Sequence, residues 1–198
     1  MTMRERLARL ISNTLNPFVI SVIIIVLLGF KETSSITDAI KWASVSLAMS
    51  VLPVFIIVIF LVYSKKMDGF FTTPREQRNI VYLLASALGT IGCGLLWYLK
   101  APELLKITFT TGLIAIIVFM VINYKWKISL HTAFMSASIT VIIIVYGTCS
   151  IWTILVLPLI AWARIELKQH SIKQVAAGGL IAAIMVVGVF WGFGIIGS

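Results

Sequence analysis

Charge is what this sequence has least of. Only 12% of its 198 residues are Asp, Glu, Lys or Arg, about half the share carried by soluble domains. Hydrophobic residues make up 60% and the mean hydropathy is +1.07, so most side chains must face lipid or one another. That excludes a soluble domain. Strict apolar–polar alternation is also missing, which excludes the strands of a membrane barrel. Of the charged residues the acidic ones are fewer, seven against sixteen basic. Cysteine is nearly absent; Cys93 and Cys149 lie in or beside apolar runs and read as small packed residues rather than as a disulfide or metal pair. No repeat, low-complexity segment or second domain is visible. The expectation is an all-α fold, a single transmembrane domain over residues 1–198 with about six to seven transmembrane helices.

What is present is a series of apolar runs punctuated by basic islands. A span needs about 20 apolar residues. The basic segment 1–12 reads as an interfacial helix leading into a run at 10–30, where Asn16-Pro17 marks the start of the span proper. A second run covers 42–64, with Pro53 predicting a kink. Thr73 before Pro74 has the form of a helix cap with proline at the first helical position. Arg75 and Arg78 then lie one turn apart at the head of a third span, 80–99. Its Gly89, Gly92 and Gly94 suit close helix contact. A fourth span covers 107–124. Residues 128–163 carry no Lys, Arg, Asp or Glu; as one helix they would reach about 54 Å against a core of about 30 Å. The chain must therefore fold back, and Gly147-Thr148-Cys149-Ser150 is the natural turn. This gives spans at 129–146 and 151–163, and a last one from 172 to about 196, with Gly178-Gly179 near its top.

Alternating these spans brings the polar islands around Arg75, around His131 and from Arg164 to Gln174 to one membrane face. With the N-terminal segment, that face holds 12 of the 16 basic residues, so the positive-inside rule predicts that it is cytoplasmic. The basic residues sit at the ends of apolar runs. They suit headgroups, topology control or an anionic ligand rather than nucleic acid.

The only two histidines, His131 and His170, fall on this face. Arg164 and His170 are six residues apart, about 240° around a continuous helix, so they converge only if the chain turns between them. Gln174 lies one turn beyond His170 on the same face, placed to bond one ring nitrogen and aim the other outward.

These residues resemble the signature of the type 2 phosphatidic acid phosphatase superfamily, integral-membrane lipid phosphatases related in fold to vanadium haloperoxidases. The family's third motif reads Ser-Arg, five residues, His, three residues, Asp; here stand Ala163-Arg164, His170 and Gln174. The second reads Pro-Ser-Gly-His; here stands Ile128-Ser129-Leu130-His131. The first reads Lys, six residues, Arg-Pro; here Arg78-Asn79 heads a helix, with Phe71 at the lysine position. The resemblance covers roughly residues 65–190, and motif order, spacing and span placement agree with it.

The resemblance implies a phosphatase-like core and a two-step phosphoryl transfer without metal or cofactor. His170 would be the nucleophile, oriented by Gln174, and His131 the acid that protonates the leaving lipid oxygen. Arg164, Arg78, Arg75 and the Ser129 hydroxyl would hold the phosphate. Forked guanidinium donors suit a reaction that depends on positioning and charge stabilisation. The substrate would be a lipid phosphate or diphosphate with a prenyl or acyl chain; the other partners are membrane lipids, and no nucleic acid. Gln174, in place of an aspartate, can orient an imidazole but adds no negative charge. This keeps a second expectation open, a catalytically weak lipid-phosphate binder or transport component on the same scaffold. Prenyl transfer fits poorly, since it requires aspartate-rich metal–diphosphate motifs and the basic face has only Asp68.

Overall fold

The computed structural model describes residues 1–69 and 74–197, with the backbone alone at 75 and 76. Among these residues the chain is helical, with no strand. In chain order the helices are α1 (Met3–Thr14), α2 (Pro17–Glu32), α3 (Ile36–Met49), α4 (Val51–Tyr63), α5 (Arg75–Tyr98), α6 (Glu103–Asn123) and α7 (Leu130–Tyr146). A 3₁₀ segment (Thr148–Leu155) then continues into α8 (Val156–Glu166), and α9 (Ile172–Gly192) closes the chain.

Five stretches are long and apolar enough to cross a bilayer: Ile36–Tyr63, Gln77–Tyr98, Glu103–Asn123, Thr148–Glu166 and Ile172–Gly192. The pair α1 and α2, bent by 42° at the junction, makes a sixth if counted as one span. Large apolar side chains stand outward along these stretches, among them Phe60, Leu83, Val121 and Leu180, as in a multi-pass membrane protein. The expected six to seven spans included α7, but its 17 residues reach only about 26 Å at 1.5 Å per residue. Its limits are local. Ser129 caps its start, and Gly147 at φ 79° turns the chain away from its end. The last span likewise stops at Gly192 rather than near residue 196. Gly194 adopts φ 74°, and the N–H groups of Gly194 and Ile195 donate back to the Trp191 and Phe190 carbonyls.

The chain packs as two compact units, one formed by Met1–Ile24 with Lys127–Ser198 and the other by Ile25–Trp126. In the first, α7 packs along α9, and α1 packs on α8. Gly178 lets the backbones of α7 and α9 meet, because a Cβ there would stand 2.7 Å from the Ser129 carbonyl and 3.0 Å from Thr132 Oγ1. The Ser136 hydroxyl donates to the Gly179 carbonyl at 2.7 Å, joining the same two helices a turn deeper. The segment read as an interfacial helix packs on α8. α1 starts with a capping box between Thr2 and Glu5 and buries Ala8 and Ser12. Arg4 also pairs with Glu166 at 3.1 Å.

In the second unit α5 packs on α6, with α3 and α4 against α5. The kink expected at Pro53 falls at Ser50 (φ −132°, ψ −69°), between α3 and α4. The physical cause is still the proline. It has no N–H for the Met49 carbonyl four residues back, so the ladder breaks there. Gly92 faces that carbonyl so closely that a Cβ would stand 2.6 Å from it. Gly89 makes only ordinary contact with Leu113 and Gly94 faces open space, so one of the three glycines expected at a helix contact sets the approach. α5 begins at Arg75, with Pro74 as the residue before the helix; the expected cap at Thr73 lies outside the described residues. The Glu32 carboxylate accepts from the Glu103 and Leu104 N–H groups at 2.6 and 2.7 Å, capping the otherwise unsatisfied start of α6. Cys93 is buried as expected, but Cys149 is exposed, in the first turn of the 3₁₀ segment that follows Gly147.

Candidate functional site

The stretch from Arg164 to Gln174 is a closed turn. α8 ends with Lys168 in the left-handed region at φ 54°. The Lys168 N–H donates to the Ile165 carbonyl at 2.9 Å and the Gln169 N–H to the Arg164 carbonyl at 3.1 Å, the double bond of a Schellman ending. Lysine takes the place usually held by glycine, and its charge complements the carbonyl end of the helix. The His170 N–H also donates to the Arg164 carbonyl, at 3.3 Å. The turn thus brings His170 back to the residue from which a continuous helix would have carried it away.

Gln174 fixes the histidine. Ser171 begins α9 with a capping box in which Gln174 is the return partner. The Ser171 N–H donates to Gln174 Oε1 at 3.1 Å, and a backbone N–H requires the carbonyl oxygen to face it. The same oxygen stands 3.2 Å from His170 Nδ1. A carbonyl only accepts, so in this pair Nδ1 carries the proton.

Arg164 lies in the last turn of α8 with 2% of its surface exposed. Burying a guanidinium is expensive unless its donors are satisfied, and Nη1 donates to Ser12 Oγ of α1 at 2.8 Å. Ser12 was not singled out in the sequence, although Ala8 and Ser12 are spaced four apart and form a small-residue face on α1. Glu166 is held by Arg4.

The head of α7 belongs to the same cluster. The Ser129 N–H donates to the Gln174 carbonyl at 3.4 Å, placing the start of α7 against the first turn of α9. Ser129 is fully buried, and its hydroxyl accepts from the Thr132 N–H as the helix cap. His131 follows in the first turn of α7, 4% exposed, and His170 is 6% exposed. Five of the seven sequence-derived site residues (Ser129, His131, Arg164, His170 and Gln174) therefore gather where three helix ends of the first unit meet.

The other two sit at the head of α5, in the second unit. Arg78 is buried there, with the buried Tyr82 one turn on. Its neighbour Asn79 accepts from Asn123 Nδ2 at 2.9 Å, tying the head of α5 to the end of α6. The Arg75 side chain is outside the described set. The pairing of Asn79 with Asn123 was not anticipated; an asparagine just before one apolar run and another near the end of the next was the available signal. Among the described residues no three His, Cys, Asp or Glu side chains gather as a metal set. The arrangement offers a buried guanidinium, an imidazole held at Nδ1 and a second imidazole at a helix head, which together suit a phosphate-bearing anion. No family model, curated protein or solved structure matches this chain.

Proposed function

We propose that the chain is a membrane phosphatase that hydrolyses a lipid phosphate or diphosphate carrying a prenyl or acyl tail. The fold would be a phosphatidic-acid-phosphatase-like core, as the sequence resemblance suggests. The observation that carries the reading is the Gln174 oxygen shared by the Ser171 N–H and His170 Nδ1. It leaves Nε2 as the nucleophile, six residues along a closed turn from the buried Arg164. In the first step Nε2 attacks phosphorus, the bond to the lipid oxygen breaks, and His131 gives that oxygen a proton. In the second step water attacks the phosphohistidine and gives its proton to His131. The P–N bond breaks with its electron pair returning to Nε2. Arg164 holds the phosphate oxygens, with the Ser129 hydroxyl beside it; the sequence resemblance assigns Arg78 and Arg75 the same role. Charge at these oxygens is the principal demand of such a transition state. By the distribution of basic residues, the site faces the cytoplasm.

The test is phosphate release from a panel that includes phosphatidate and farnesyl phosphate, in detergent or nanodiscs. His170→Ala is expected to lower release by about 10⁴-fold or more, as loss of a nucleophile does; turnover equal to wild type would sink the mechanism. A second reading, a lipid-phosphate binder or transport component with weak turnover, is favoured by one feature. Gln174 already serves the α9 cap and brings no negative charge to an imidazolium. That reading expects wild-type binding of the same lipids with no acid-labile phosphohistidine on rapid quench.

A further inference from the structure

The N-terminal helix contributes to the cluster at one atom. Ser12 Oγ accepts from Arg164 Nη1 at 2.8 Å, and both residues are 2% exposed. Arg164 comes from the end of α8 and Ser12 from α1, 152 positions earlier. A guanidinium has five donors in a rigid planar fork, so fixing one amino group fixes the direction of the others. Ala8 and Ser12, one turn apart, are the only two fully buried positions of α1. Their small size lets the helix lie against α8 closely enough for the hydroxyl to reach the arginine. A larger side chain at either position would hold α1 off; an alanine at 12 would keep the approach and lose the acceptor.

We infer that Ser12 is a positioning residue for Arg164, so that α1 is part of the phosphate site rather than a separate surface anchor. This rests on the phosphatase or lipid-phosphate-binding reading. The helix has a second tie to α8, the exposed Arg4–Glu166 pair, which does not touch Arg164. The two ties separate positioning from docking.

The experiment uses the full chain in nanodiscs, with dioctanoyl phosphatidate as the probe. Affinity is measured by calorimetry, phosphate release by kcat and KM, and folding by thermal midpoint. Ser12→Ala is expected to weaken phosphatidate binding by about tenfold, the effect of losing one charge-assisted hydrogen bond. KM should rise with it. Arg4→Ala removes the other tie and is expected to leave affinity at the wild-type value. Wild-type binding that Ser12→Ala leaves intact overturns the positioning role alone. So does an equal loss of affinity in Arg4→Ala, because docking would then explain both. A wild-type chain that neither binds nor hydrolyses phosphatidate or, in the same assay, farnesyl phosphate overturns the inference together with the reading beneath it.

Discussion

Gln174 is one side chain with two tasks. Its oxygen closes the α9 capping box and also fixes the His170 ring. An amide does both without charge, whereas a carboxylate of the same length would add charge to both. Gln174→Glu should keep the two oxygen contacts, favour the N-terminus of α9 by about 0.3–1 kcal/mol, and stabilise a positive imidazole. The expected outcome is a small rise in thermal midpoint and a rise in kcat of about tenfold or more, measured as phosphate release. A fall in kcat with an unchanged midpoint would contradict the role given to this residue. The spacing of His170 and Gln174 made their pairing legible in the sequence. The capping box was equally legible as Ser171-x-x-Gln174, and it is what identifies the oxygen.

Among the helices, close approach depends on particular glycines. Gly178 faces the Ser129 carbonyl and Gly92 the Met49 carbonyl, while Gly94 faces open space. Gly178→Ala must push α7 away from α9 and should destabilise the protein by about 1–3 kcal/mol, the usual cost of overpacking. It should also disturb the Ser129–Gln174 bond and with it the site. Gly94→Ala is expected to be neutral or stabilising, by up to about 1 kcal/mol, from helix propensity alone. Thermal unfolding in one detergent compares the two variants; equal midpoints would refute the distinction. Composition marked all these glycines alike. The direction each faces depends on where its neighbours pack, and the broken ladder at Met49 and Ser50 shows how the effect of Pro53 is felt a full turn earlier.

At the level of the whole molecule, the sidedness of the site can be read from two positions on one span. Cys149 is exposed at the start of the stretch Thr148–Glu166 and Lys168 lies just past its end. Nineteen residues separate the two sides of a bilayer if the stretch crosses it. If the basic face is cytoplasmic, a membrane-impermeant maleimide added outside intact cells should label native Cys149. In a Cys149→Ser background, Lys168→Cys should label only after the membrane is opened. Labelling of Lys168→Cys from outside would invert the assignment.

The sequence by itself determined the membrane class and the positions of most spans, and it assigned seven site residues to one face, of which five gather at one set of helix ends. Those conclusions follow from hydropathy, chain length against bilayer thickness, and alternation, all of which are one-dimensional. Arg164 and His170 could be brought together on paper because a continuous helix cannot do it. Tertiary structure alone decided the partners. Ser12 meets Arg164 across 152 positions, Glu32 caps α6 from another helix, and Arg4 takes Glu166. Each is a pairing between separate helices, chosen by which faces pack. Apolar periodicity says little about faces when helices are apolar all round and lipid competes with protein for every side.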